Sequence, residues 1–210
     1  MRVYLKELPN QVHGISTNKN YMIYAVETSI DGEEFYRIEN DYNQIILYSA
    51  NLFEIRSAQL SSDWILWNKP NGSSVLLPEQ FAYLSFWEDY YNDDVEALNI
   101  FSSVKEILIQ QELNENEISK IFEASIDNDI NYILNVLLKF QDLRFLRQVL
   151  KYAKSEFESN DSELATKVLT FQYLSLFSKK EVEEFFIYYL TNIELGCNEL
   201  TQIVTDYFKK

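Results

Sequence analysis

Six of the seven glycine and proline residues, Pro9, Gly14, Gly32, Pro70, Gly72 and Pro78, lie in the first 78 positions, and only Gly196 lies beyond them. Turns need residues that accept a positive φ or preset a negative one, whereas helix interiors reject both. The distribution therefore predicts a turn-rich β module over residues 1–78 and an all-α domain over residues 79–210. The expected fold class is α+β, a small β-barrel followed by a helical bundle.

Within the first part, YMIYAVET (21–28) is β-branched and aromatic, leads into Asp31-Gly32, a favoured hairpin turn, and continues as EFYRIE (34–39). After the polar turn at 40–43 come QIILYS (44–49) and LFEIRS (52–57), then WILWN (64–68), the turn Pro70-Asn71-Gly72, and SVLL (74–77). Strands this short would leave exposed edges in an open sheet, so closure into a barrel is expected.

Past Pro78 the apolar period becomes helical. Residues 78–91 read as one short helix with Pro78 in its first turn and Phe81, Leu84 and Phe86 or Trp87 on one side. Residues 93–113 read as a longer helix, capped by Asp93 or Asp94, with Val95, Leu98, Phe101, Ile107 and Leu108 near helical spacing. Further helices are predicted at roughly 115–126, 129–140, 142–157, 162–177, 179–192 and 198–208. Ser178-Lys179-Lys180-Glu181 fits a capping box, and Asp127, Asp161 and Asn198 precede apolar-periodic segments. The short connections favour antiparallel neighbours, hence a bundle.

The chain has 210 residues, of which 47% are hydrophobic and 15% aromatic, which distinguishes it from disordered acidic sequences. No N-terminal apolar segment resembles a signal sequence and no stretch approaches the roughly 18 apolar residues that cross a bilayer, so a cytoplasmic location and no membrane partner are expected. His13 and Cys197 are the only histidine and cysteine, which excludes a disulfide, ordinary zinc ligand sets and a His-based triad with local context. Phosphate-binding glycine loops are missing as well. No enzymatic activity, cofactor, metal or small-molecule substrate is expected.

Net charge is −15, and it is unevenly placed. Residues 88–129 hold twelve Asp and Glu against Lys105 and Lys120, which makes −10 of that total. Such a block repels nucleic acid and steers basic partners. Its acidic pairs also read as solvated helix-capping carboxylates or as adventitious divalent ligands; SIDNDINYILNV (125–136) lacks the glycine and terminal glutamate of a calcium loop. In FWEDYY (86–91) six consecutive residues cannot share one helix face, so aromatic surface should remain beside Glu88 and Asp89. The candidate partner-binding residues are Trp87, Glu88, Asp89, Tyr90, Tyr91, Asp93, Asp94 and Glu96, with the carboxylates steering and the aromatics anchoring.

Two stretches carry a family resemblance. In residues 15–55 the positions Ile15, Lys19 and Tyr21, the string Tyr36-Arg37-Ile38-Glu39-Asn40-Asp41, and Tyr48 with Phe53-Glu54-Ile55 resemble small SH3-like modules of bacterial and phage proteins, with Asn18 and Asn43 where glycine is usual. SSDWILW (61–67) and LSFWEDYYNDDVEALNIF (84–101) resemble bacterial proteins that join such a module to a helical tail. Together the resemblance covers about half the chain and implies an SH3-like β-barrel over 1–78. It also implies an immunity-type protein of polymorphic or contact-dependent toxin systems. On that reading the partner is a basic toxin domain, most simply a nuclease. The other reading is an adaptor whose barrel groove, lined by Tyr21, Tyr24, Tyr36 and Trp64, binds a peptide.

Overall fold

The computed structural model describes residues 1–6, 12–17, 19–58, 60–61, 63–159, 163–192 and 198–209. Pro9, Asn18, Asp161, Gly196 and Cys197, invoked above, lie outside the described residues. The chain is α+β, with strands in its first part and helices after it. It divides into two compact units, Met1–Glu112 and Leu113–Lys210.

The first unit carries seven antiparallel strands: β1 (Arg2–Leu5), β2 (Asn20–Thr28), β3 (Glu34–Glu39), β4 (Ile45–Ser49), β5 (Phe53–Ser57), β6 (Trp64–Asn68) and β7 (Ser74–Pro78). The turn at Asp31-Gly32 closes the β2–β3 hairpin, where Gly32 takes φ +82° and its amide donates to the Ser29 carbonyl at 3.0 Å. Turn chemistry is local, so these hairpins fall where the sequence places them. The strand over Arg2–Leu5 was not predicted, because four residues of RVYL carry too little periodicity on their own.

The sheet does not close into a barrel. Its order is β4-β3-β2-β1-β5, and β7 with β6 branches from the far end of β2. The cause lies in β2. Its pairing with β3 shifts register between Ile23 and Ala25, a bulge that bends the strand, so its first part pairs with β1 and its last part with β7. Tyr21 and Ile23 turn to one core, with Val3, Leu5, Tyr36, Ile38 and Phe53. Tyr24 and Ala25 both turn to the other, against helices. A helical cover takes the place of closure.

That cover is α1 (Phe86–Tyr91) and α2 (Val95–Glu112), preceded by a 3-10 turn at Glu79–Phe81. The single helix predicted over 78–91 is thus two short pieces, with Pro78 as the last residue of β7. Phe81, Phe86, Ala97, Phe101, Val104 and Leu108 bury against Tyr24, Ala25, Ile45, Val75 and Leu77. On α2 the buried stripe is therefore 97, 101, 104 and 108, and Val95 and Leu98 stay exposed. The strands end at Pro78, yet the compact unit continues to Glu112, since the helix face and the sheet face each need the other to leave water.

Glu112, the last residue of α2, ties the helix to β1 and β5. Its carboxylate meets the Met1 amino group at 2.7 Å, the Arg2 guanidinium at 3.2 Å and the Ser57 hydroxyl at 3.1 Å. Burial pushes the carboxyl up, but those three partners outweigh it and hold it below the usual carboxylate range. The sign follows from the depressed folded value. The contribution is complete above the unfolded pKa of about 4.3 and is lost as pH falls through the lower folded pKa. Glu112→Gln should therefore flatten the acid limb of stability against pH, read by urea unfolding at stepped pH; an unaltered limb would show that the cluster adds nothing.

The second unit is helical throughout its described residues: α3 (Glu115–Ala124), α4 (Asp127–Phe140), α5 (Leu146–Ser159), α6 (Leu164–Ser175), α7 (Lys180–Asn192) and α8 (Asn198–Phe208). Asn114 caps α3 by accepting from the Glu117 amide at 3.1 Å, and α4 buries Ile130, Ile133, Leu134 and Leu137 at i, i+3, i+4 and i+7. Helices α3 and α4 end on left-handed Ser125 (φ +52°) and Gln141 (φ +47°) rather than glycine. Each such ending costs roughly 1–2 kcal/mol that glycine would avoid. Packing must offset this. The buried Tyr173 hydroxyl donates to the Asp142 carbonyl at 2.5 Å, beside the turn that follows α4, and burial pushes its pKa far up.

Candidate protein-binding face

The acidic block is divided between the two units: Glu88, Asp89, Asp93, Asp94, Glu96, Glu106 and Glu112 belong to the first, Glu115, Glu117, Glu123, Asp127 and Asp129 to the second. Several carboxylates are occupied by folding. Asp94 accepts from the Glu96 and Ala97 amides, both at 3.0 Å, and so caps α2; Asp89 accepts from the Ser85 hydroxyl at 2.8 Å. In the second unit Asp127 accepts from Thr166 at 2.7 Å, and Glu115, Glu117 and Asp129 lie in first turns, where the helix dipole favours them.

Glu88, Asp93 and Glu96 remain exposed, and among the described residues no cation pairs with them. Asp93 makes the sharp turn between α1 and α2 with φ +58°. Exposed apolar groups accompany them. Leu84 is 86% exposed, Val95 71%, and Tyr83 and Leu98 are also open to solvent. The Tyr83 hydroxyl pKa is raised by desolvation and by the charges of Asp89, Asp94 and Glu96, which places this tyrosine among the carboxylates.

The aromatics of FWEDYY are used differently from one another. Phe86 stacks on Phe81 at 4.3 Å. Trp87, half-buried, contacts Phe81, Phe86 and Phe101 edge-on, and Tyr90 lies 4.8 Å from Phe101. Trp87 and Tyr90 are thus half-buried, each packed on the core of the unit. Tyr91 keeps half its surface in solvent, but its hydroxyl donates to the Ile45 carbonyl at 2.7 Å and accepts from Arg37 Nη1 at 2.6 Å.

Arg37 was given no role by the sequence beyond its place in the Tyr36-Arg37-Ile38 string. It is 7% exposed on β3, between Tyr36 and Ile38, whose side chains enter the other core, so strand alternation turns it towards α1. There the guanidinium lies over the Trp87 ring at 4.3 Å and bonds Glu27 at 2.5 Å. Lys69 stands 3.8 Å from the other oxygen of Glu27. A buried cation with a carboxylate, a hydroxyl and an aromatic face around it is satisfied, and it holds α1 to the sheet.

The remaining candidates are placed as follows. His13 sits in an exposed loop against Tyr42, with ring centroids 5.4 Å apart. Tyr21, Tyr24 and Tyr36 are buried in the two cores, and Trp64 is half-buried. On α7, outside the candidates, Phe185, Phe186 and Tyr189 are core while Ile187, Tyr188 and Leu190 are exposed. Among the described residues no group of three or more His, Cys, Asp or Glu could hold a metal ion, and no helix is long and apolar enough to cross a membrane. No protein-family model, curated protein or solved structure matches this chain.

Proposed function

We propose that this is an immunity-type binding protein, acting in the cytoplasm, that captures and neutralises a basic toxin domain with the α1–α2 face of its first unit. The observation that carries the reading is the set Glu88, Asp93 and Glu96 beside Tyr83, Leu84, Val95 and Leu98, charged and apolar groups that the fold leaves in solvent. Exposed apolar groups and unpaired carboxylates on one pair of helices give a cationic partner both an anchor and steering. A nuclease domain fits because it must present cations to hold phosphates, and an acidic blocker repeats the substrate's charge. Nothing comparable favours the peptide-binding adaptor, since three of the four aromatics assigned to its groove are interior.

The test begins with the basic domain of a toxin gene adjoining this one. Co-expression should protect cells from that domain, and Glu88→Lys, Asp93→Asn and Glu96→Lys together should remove protection. Asparagine at 93 keeps a residue that tolerates positive φ, and Lys at 96 forfeits a dipole contact of only about 0.5 kcal/mol. Association of the triple variant should be at least about tenfold slower at low salt and converge with the parent at high salt. Equal rates at every salt concentration would remove the reading.

A further inference from the structure

We propose that β6 is a self-pairing edge through which two copies of this chain associate as a two-fold antiparallel dimer. The inference is independent of the toxin-binding face and stands on the hydrogen-bond phase, exposure and charge order of residues 63–69.

The phase comes from the β6–β7 hairpin. The Glu79 amide donates to the Asp63 carbonyl at 2.9 Å, and the Lys69 amide to the Ser73 carbonyl at 2.8 Å. In an antiparallel ladder the mutually bonded positions alternate, so Ile65 and Trp67 also direct their backbone groups to β7, opposite Leu77 and Val75. Trp64 falls opposite Pro78, which has no amide hydrogen to give, as a non-bonded position requires. Leu66 and Asn68 consequently present N–H and C=O away from β7, as Trp64 does its C=O, its amide being given to the Ser61 carbonyl at 3.3 Å, and no other described strand pairs with β6.

An edge strand normally carries a charge, a proline or a bulge against pairing with another chain. WILWN has none of these, and Leu66 is 64% exposed with Ile65 open beside it. The other two edges differ. β5 carries Glu54 and Arg56, and on β4 the Ile45 carbonyl is already taken by the Tyr91 hydroxyl.

The occupant follows from symmetry. A two-fold axis at Leu66 pairs residue 66 with itself, 65 with 67, 64 with 68, and 63 with 69. Leu66 is an outward-directed residue, so its amide and carbonyl would exchange bonds with those of its copy. The same register sets each Asp63 opposite the Lys69 of the second copy, an ion pair at both ends of an otherwise uncharged strand, for which Lys69 would exchange its 3.8 Å contact with Glu27. The segment is complementary to itself in backbone phase, apolar surface and charge together. Five residues bury little area, so the dimer is weak and concentration-dependent.

The test is sedimentation of the full chain over a concentration series at physiological salt. A reversible monomer–dimer equilibrium is expected. Leu66→Pro removes only an outward amide, and Leu66→Lys sets two like charges side by side; each should weaken dimerisation at least about tenfold while tryptophan-detected unfolding stays cooperative. Asp63→Lys and Lys69→Asp should each weaken it, and the double exchange should restore it. Register is read separately in a Cys197→Ser background. Leu66→Cys should cross-link on oxidation, because bonded antiparallel partners have Cα atoms about 5.5 Å apart, and Asn68→Cys should not. A chain that stays monomeric at every accessible concentration, a dimer indifferent to both Leu66 variants, or cross-linking through position 68 alone would overturn the proposal.

Discussion

Phe86→Ala should cost the first unit about 3–5 kcal/mol, the range for a fully buried aromatic cut to a methyl group. The ring has no solvent exposure, stacks on Phe81 at 4.3 Å and meets Trp87 at 4.9 Å and Tyr83 at 5.3 Å. Its neighbours cannot collapse into the gap, because Phe81 and Trp87 are themselves pinned against Phe101. Detection is selective. Trp64, Trp67 and Trp87 are the only tryptophans and all belong to Met1–Glu112, so fluorescence-detected urea unfolding reports that unit, while far-ultraviolet dichroism is weighted towards the helices. The fluorescence midpoint should move to much lower urea. A loss below about 1 kcal/mol would mean that α1 is not part of the sheet's core.

Arg37→Ala should cost about 3–5 kcal/mol, since removing one partner of a buried ion pair leaves the other charge uncompensated. Glu27 would keep only the more distant Lys69, the Tyr91 hydroxyl would lose its donor, and the Trp87 face would lose its cation. Arg37→Lys should recover little. A lysine cannot hold Glu27 and Tyr91 from one planar group while lying flat on an indole. The pair Glu27→Gln with Arg37→Met should cost clearly less than the two single losses added, because neither variant then strands a charge. Additive losses would show that Arg37 acts through packing alone.

These two sites mark the boundary between what sequence and tertiary structure decide. The strands over 34–39 and 64–68, the hairpin at Asp31-Gly32 and the succession of helices after residue 113 were legible, because each depends on residues within one turn or one period of itself. The helix expected to end at 140 does so, whereas the one expected over 115–126 stops at Ala124, because nothing in the type of Ser125 advertises its left-handed conformation. On α2 the expected stripe of Val95, Leu98, Phe101, Ile107 and Leu108 was met only at Phe101 and Leu108, which bury together with Ala97 and Val104 while Val95 and Leu98 stay exposed. Contact with Tyr24, Val75 and Leu77 selected the buried face.

The sequence by itself determined an α+β chain, its turns, most of its element boundaries and the uneven placement of its charge, all of which are local properties. The tertiary structure decided the rest, since it depends on contacts between residues far apart in the chain. A bulge at Tyr24–Ala25 turned both residues to one face of the sheet, where helices rather than closing strands cover them, and Arg37 met Trp87 on that face. Packing set Trp87 and Tyr90, half-buried, against Phe101 and left Leu84 and Val95 outside. Which strands became edges is likewise a property of the whole sheet, because a strand's free hydrogen bonds exist only once its neighbours have been chosen.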